Sequence, residues 1–459
     1  MHRPSVPGHG PHGELFSGGE KRAAKVTGEL AIRKGRGDAV RIALSSYRSK
    51  PHSGGQGIYV RNLSRELHRL GHDVEVFSGP PYPELDAGVR LTRLPSLDLY
   101  RDEDPFRRPA MREFRSDLDM LEYLTMCASG FAEPRTFSWR LSRHLRPRLD
   151  EFDILHDNQT LGPGLLDIAR RGLPTVTTIH HPITQDRRLE LAHARGFARI
   201  TKRRWYGFVG MQRRVAQSSR NLITVSEQSA RDIVTDFAVP RERLAVVPVG
   251  VDVDVFTPTP RAERVPGRIV TIASADVPLK GLSVLIDALT WLDPSMWSEL
   301  VVVGTPSERT NKALADAGLL DRVRFEQGLS TKDLAGLLGS AHVCAVPSRY
   351  EGFSLPTVEA MACGTPLVAS RVGALPELVG EDAGILVEPG NAEALARGVR
   401  DLLVDPTRAA ALGAVGRERA TSTYSWRAVA EATAEIYTRV LADERPGPPR
   451  RPLDDHDRL

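Results

Sequence analysis

The sequence predicts an α/β protein of two doubly wound parallel sheets that face each other across a central cleft. Three observations predict it. Apolar runs of strand length alternate with segments of helical period, the pattern of parallel sheets covered by helices on both faces. The alternation occurs twice, starting near residue 40 and again near residue 268. Between the two sets, VVPVGVDVDVFTPTPRAERVPG (246–267) is thick with Pro and Gly and carries no periodicity, as a joint between domains does.

In the first set, VRIALSS (40–46) is an apolar run followed by a glycine turn. The segment IYVRNLSRELHRLGH (58–72) then places Ile58, Leu63, Leu67 and Leu70 near helical spacing, and DVEVFSG (73–79) returns to strand. FDILHDNQ (152–159), TVTTIHH (175–181) and NLITVSE (221–227) repeat the strand theme, with the helical RDIVTDF (231–237) after the last. The second set runs from RIVTIASA (268–275) through the helix GLSVLIDALTWL (281–292) to ELVVVGT, RVRFEQG, AHVCAVPS and TPLVAS. Ligands of open α/β sheets bind beyond the carboxyl ends of the strands, so chemistry is expected in the cleft between the two sheets.

Composition limits the function classes. The 459 residues, 41% hydrophobic and 26% charged, are enough to bury two cores. The 62 Lys and Arg nearly balance the 58 Asp and Glu, and a net charge of +4 is too small to argue for nucleic acid. Cys127, Cys344 and Cys363 lie far apart without metal-ligand spacing, which suits a reducing cytoplasm. There is no apolar run of about 20 residues, and the first residues lack the apolar stretch of a signal peptide. The expectation is a soluble protein, or one lying on a membrane surface.

Three elements are candidates to line the cleft. SGGQGIY (53–59) is a glycine turn after the first strand; it reads either as a packing turn or as a contact for a phosphate or sugar. Lys280 in ADVPLKGL stands just before a helix, as a solvated lysine or as a cation facing a phosphate. SRYEGFSLPTVEAMACGTPLVAS (348–370) places Glu351 and Glu359 eight positions apart. Pro356 fits the first turn of a helix, which puts the amides of Gly352, Phe353, Ser354 and Leu355 at its positive end, with Glu359 a turn inside and Cys363-Gly364 as the stop. Carboxylates accept hydrogen bonds from hydroxyls, which suits a sugar and a ribose on either side of a diphosphate.

The stretch EGFSLPTVE, with AVPSRY before it and AMACGTPLVAS after it, resembles the E-x7-E donor signature of the retaining glycosyltransferases of family 4, which have the GT-B fold of two Rossmann-like domains. TIHH, ITVSEQSARDI, VVPVGVDVDVF, KGLSVLIDAL and VGALPELV follow in family order, so the resemblance covers about residues 40–441. It implies a first, acceptor domain at 39–248, a donor domain at 249–424 and a helix at 425–442 that crosses back onto the first domain. The tails, 1–38 and 443–459, are rich in Pro, Gly and charge and are expected to be disordered.

The resemblance also implies roles. Glu359 would bind the ribose hydroxyls and Glu351 those of the transferred sugar. The amides of Phe353, Ser354 and Leu355, next to Gly352, would hold sugar and diphosphate, with Lys280 on the diphosphate. His180 reads on its own as a strand-end residue capping a turn, but it matches the family's cleft histidine, with His181 as the other candidate. Gly54 and Gly55 match the loop that approaches the donor. The catalytic set is therefore His180, Lys280 and Glu351, with no cofactor and no metal; the donor is a UDP- or GDP-sugar, and the acceptor a glycan, lipid or small molecule. The sugar would be transferred with retained configuration through an oxocarbenium-like state.

Two departures matter. Ser274 and Ala275 stand where the family carries a second diphosphate cation, an arginine, which leaves Lys280 and the amides unless Arg349 reaches in. Ser354 occupies a position where glycine is frequent. Asp252-Val253-Asp254 reads as a DxD metal motif, yet it falls in the joint and is expected to be structural.

Two other enzyme classes share parts of the pattern. A GT-B-fold sugar-nucleotide epimerase has the same domains and would need no acceptor. An NAD(P)-dependent oxidoreductase would want a GxGxxG with an acidic residue about 20 positions on, which neither sheet provides. Finally, residues 185–214 carry many arginines with Trp205, Tyr206 and Phe208 interleaved, a pattern that fits contact with an anionic membrane or acceptor, or a solvated helical face whose aromatics pack inward.

Overall fold

The computed structural model describes residues 39–50, 55–260, 263–273 and 277–443. Gly54, Ser274 and Ala275, together with both tails, lie outside the described residues.

The first sheet has seven strands in the order β3-β2-β1-β4-β5-β6-β7, all parallel. They are β1 Arg41–Ser46, β2 Asp73–Ser78, β3 Arg90–Arg93, β4 Ile154–Asn158, β5 Thr175–Ile179, β6 Asn221–Thr224 and β7 Leu244–Val246. The second has six, in the order β10-β9-β8-β11-β12-β13, again all parallel. These are β8 Arg268–Ile272, β9 Glu299–Val303, β10 Val323–Glu326, β11 Val343–Val346, β12 Leu367–Ser370 and β13 Ile385–Val387. In each sheet the order reverses once, between β1 and β4 and between β8 and β11, and a crevice opens at such a point. The central strands read as unbroken apolar runs because helices cover both faces: Ile42, Ala43 and Leu44 of β1 and Val343, Cys344 and Ala345 of β11 are all buried.

The first helix starts inside the glycine segment, at Gly55, and runs to Arg69. The arginine-rich stretch after residue 100 contains the helices Asp117–Cys127 and Glu133–Leu145. The second of these buries Phe137, Leu141 and Leu145 against β1, β2 and β4. Its Arg140 bonds to Asp119 at 2.7 Å and to Glu122 at 2.5 Å on the first. After β5 the chain makes the helices Thr184–His193, Gly196–Trp205 and Phe208–Ser218. Trp205, Tyr206 and Phe208 turn inward here, while Phe197 and Ile200 stay exposed. The last helix, Trp426–Asp443, lies on the first sheet's side of the cleft. Its Trp426 ring meets Tyr59 edge-on at 5.7 Å, and its Tyr437 hydroxyl is 2.6 Å from Nδ1 of His156 in β4. Among the described residues no helix is long and apolar enough to cross a membrane.

Candidate functional site

The carboxyl ends of the two sheets meet around a cavity of about 470 Å³. From the first sheet, β5 ends at Ile179 and delivers His180 and His181 to the cavity wall. Gln159, just beyond β4, holds this turn from both sides. Its Oε1 accepts the His180 N–H at 2.8 Å and its Nε2 donates to the His181 carbonyl at 3.1 Å. The hold has a backbone cost, since Gln159 sits at φ 55°, in the left-handed region that side chains other than glycine seldom adopt.

The His180 ring is fixed as well. Nε2 is 2.8 Å from Oδ1 of Asn158, an atom that only accepts, so Nε2 carries the proton in this arrangement. Tyr59 meets the ring edge-on with centroids 4.7 Å apart. Although part of its surface faces the cavity, burial, with smaller contributions from His181 and His156, pushes the imidazole pKa down to about 3. It is therefore neutral at ordinary pH.

From the second sheet, a single turn of 3-10 helix, Pro278–Lys280, precedes the helix Leu282–Leu289. Gly281 between them has φ 68°, and a Cβ there would fall 1.9 Å from the Pro347 carbonyl oxygen. Only glycine lets this turn lie against the end of β11. The close approach carries Lys280 to Glu351, with Nζ 2.8 Å from Oε1. The same Oε1 accepts from Ser348 Oγ at 2.7 Å. Glu351 is 5% exposed, and its carbonyl is tied to Ala374 N–H at 3.0 Å.

The helix Leu355–Ala362 begins with Ser354 as its N-cap and Pro356 in its first turn. The Ser354 hydroxyl accepts from Thr357 Oγ1 and caps no backbone amide, so no side chain caps the helix start. Glu359 lies one turn in, half-buried, with burial raising its pKa to about 7.

Gly55, His180, His181, Lys280, Glu351, Gly352, Phe353 and Leu355 line one cavity. Ser354 is buried behind the wall, and Glu359 lies further along its helix, outside the lining. The side chain of Arg349 is exposed and is not part of the wall. Asp252 lies 3.4 Å from Arg65 and accepts the Asp254 N–H at 3.2 Å. Sequence reasoning missed Gln56, Gln159 and Tyr350, which also line the cavity. Four contacts cross the cleft beside it, one of them from Ser229 Oγ to the Gly352 carbonyl at 3.1 Å. Ser226 Oγ donates to the Gly352 carbonyl at 2.5 Å, the Tyr350 hydroxyl to Asp232 at 2.6 Å, and the Glu227 N–H to Glu377 at 2.9 Å.

Comparison with known proteins places the chain. A family model described as Glycosyltransferase Family 4 matches residues 53–255, and one described as Glycosyl transferases group 1 matches residues 260–419. The chain is 54% identical over 408 residues to the MMP alpha-(1->4)-mannosyltransferase of Mycolicibacterium hassiacum, covering 88% of this chain and 99% of that one. The chain belongs to the family 4 glycosyltransferases. This glycosyltransferase is also 30% identical to the D-inositol 3-phosphate glycosyltransferase of Kineococcus radiotolerans, covering 89% of this chain and 98% of that one. Its fold is that of GT-B enzymes. The sucrose-phosphate synthase of Thermosynechococcus elongatus superimposes with a TM-score of 0.65 at 24% identity, over 88% of this glycosyltransferase and all of that chain. The epimerase and oxidoreductase readings find no support in these relatives.

Proposed function

We propose that the protein is a retaining, metal-independent mannosyltransferase that moves mannose from a nucleoside-diphosphate mannose to an acceptor hydroxyl, forming an α-(1→4) bond. The observation that carries the reading is the 54% identity, over 88% of this chain, with a relative named for that reaction. The cavity chemistry fits it. On donor binding the β-phosphate takes Lys280, and Glu351 turns to hydroxyls of the transferred sugar. The uncapped amides at the start of the helix Leu355–Ala362 face the diphosphate, and Glu359 accepts from the ribose. His180, held neutral with its Nε2 proton on Asn158, leaves Nδ1 as an acceptor for a sugar hydroxyl and places no positive charge beside the oxocarbenium-like state.

In the reaction the bond between the sugar's C1 and the phosphate oxygen breaks, with its electron pair going to the phosphate. The acceptor oxygen bonds to C1 on the same face, and its proton passes to the departing phosphate. The test is incubation with GDP-mannose or UDP-mannose and an α-(1→4)-linked manno-oligosaccharide, with the new linkage read by NMR. An α-(1→4) product is expected; a β product, or no mannose transfer from either donor, overturns the proposal.

A further inference from the structure

Beneath His180, the face of the first sheet that meets the last helix is polar where a covered sheet is ordinarily apolar. Tyr59 of the helix Gly55–Arg69, His156 of β4, Thr178 of β5 and Tyr437 of the last helix are each no more than 1% exposed. Their polar atoms form one chain. The Tyr437 hydroxyl is 2.6 Å from Nδ1 of His156, whose Nε2 is 2.7 Å from Thr178 Oγ1, which in turn lies 3.3 Å from the Tyr59 hydroxyl. Burial pushes the His156 pKa down to about 3, so the ring is neutral and carries one proton. It donates to one of its two hydroxyl partners and accepts from the other.

This chain of bonds ends against the cavity. Thr178 and His180 stand two positions apart, as His156 and Asn158 do, so each pair shares a face of its strand. Two rungs join the strands there: His156 to Thr178, and Asn158 to His180 at 2.8 Å. Tyr59 closes the array, with its hydroxyl on Thr178 and its ring edge-on to His180 at 4.7 Å.

A second contact fixes the Tyr59 ring, and it comes from the same helix as Tyr437. Trp426, 3% exposed, meets that ring at 5.7 Å. Trp426 is itself held where the chain passes between the two sheets. The Val251 N–H donates to the Tyr424 carbonyl at 2.7 Å, and a Cβ on Gly250 would fall 2.4 Å from the Trp426 ring.

Stability does not require such a chain, because replacing both partners of a buried hydrogen bond by apolar groups of the same shape can be nearly neutral. A fully satisfied polar network imposes one geometry on its members instead. Here the member at its end touches His180.

We propose that Tyr59 is a positioning residue for His180 and that the last helix sets it, through Trp426 on the ring and through Tyr437, His156 and Thr178 on the hydroxyl. The inference rests on the place of His180 in the transfer site and adds what orients it.

The test uses the full chain with isotopically labelled histidine, in which the His180 ring signals are assigned by their loss in His180→Gln. Tyr437→Phe and Tyr59→Phe each delete one hydroxyl and keep the ring, so the packing is retained. With no substrate present, the His180 signals are expected to shift or broaden in both variants. In mannose transfer, kcat is expected to fall about ten-fold while the KM values for donor and acceptor stay within about two-fold of wild type, the pattern of a misplaced group rather than of lost binding. Ile168→Val is the control, a core cut in the cluster of Leu155, which faces the opposite side of β4 from His156. It should lower the melting temperature and leave kcat and the His180 signals unmoved.

His180 signals unchanged in either variant overturn the positioning role, whatever the kinetics. An unchanged kcat beside shifted signals overturns it too, as does a kcat loss no larger than that of Ile168→Val. If wild type transfers no mannose while the His180 signals move in both variants, the hold on His180 stands and the function falls.

Discussion

Lys280 and Glu351, 71 residues apart in the chain, form an ion pair of 2.8 Å at the wall of the cleft. The carboxylate is buried while the lysine is a third exposed, so the pair holds its anion inside and leaves its cation reachable. A ligand phosphate competes for the lysine on favourable terms, since the carboxylate keeps the Ser348 hydroxyl when the lysine leaves.

This arrangement predicts unlike outcomes for the two partners. On the proposed reading Lys280→Ala removes the charge assigned to the departing diphosphate, and turnover is expected to fall ~10² to 10³-fold. It also leaves a buried carboxylate with one partner fewer, so a loss of about 1–3 kcal/mol in stability should accompany it. Glu351→Gln should lose activity with little change in melting temperature, because the amide still accepts from Lys280 and Ser348. Steady-state kinetics with parallel thermal melts check both, and near-normal turnover in Lys280→Ala would remove the diphosphate role.

The joint between the domains predicts the response to chelation. The Asp252 carboxylate is already engaged by Arg65 and by the Asp254 N–H. Transfer is expected to persist in EDTA at its untreated rate. Loss of turnover on chelation, restored by Mg²⁺ or Mn²⁺, would contradict this.

The contacts across the cleft predict a weaker grip on the donor when they are cut. Tyr350→Phe deletes the hydroxyl that donates to Asp232, a bond to a charged acceptor worth about 1.5–3 kcal/mol. The Ser226, Ser229 and Glu227 contacts remain, so the domains should still close, but less often. We expect the donor KM to rise about 3- to 10-fold with a larger radius of gyration in small-angle scattering of the free enzyme. An unchanged KM and scattering curve would mean that the bond does not control closure.

What was legible in the sequence followed burial. β1, β4, β8 and β11 read clearly because both of their faces are covered, whereas the half-buried edge strand β3 (RLTR) leaves no apolar run, and β7 and β13, though apolar, are only three residues long. The helices Asp117–Cys127 and Glu133–Leu145 escaped because Arg140, 10% exposed, is neutralised by Asp119 and Glu122 from another helix, a pairing that periodicity cannot reveal. In the site, Lys280 and Glu351 were legible from their places beside helix starts and His180 only through motif resemblance, and the structure brings the three to one cavity. Gln159 and Tyr350 were not, because a left-handed backbone and a bond across the cleft are set by tertiary structure alone.

Glu359 predicts a pH signature. Burial raises its pKa from 4.5 to about 7, so between those values the folded protein binds more protons at this group than the unfolded chain. Its contribution to stability therefore falls as pH rises through that window and is flat on either side. Glu359→Gln cannot titrate, so the melting temperature of wild type should drop relative to the variant across the same window. A ribose hydroxyl bonding to the carboxylate favours its ionised form, so nucleotide binding should expel a proton, and affinity should climb with pH up to about 7. Calorimetric titrations with a nucleoside diphosphate in buffers of different ionisation enthalpy count that proton directly. Proton release by wild type and none by Glu359→Gln is the expected result; equal release by both would place the ribose elsewhere.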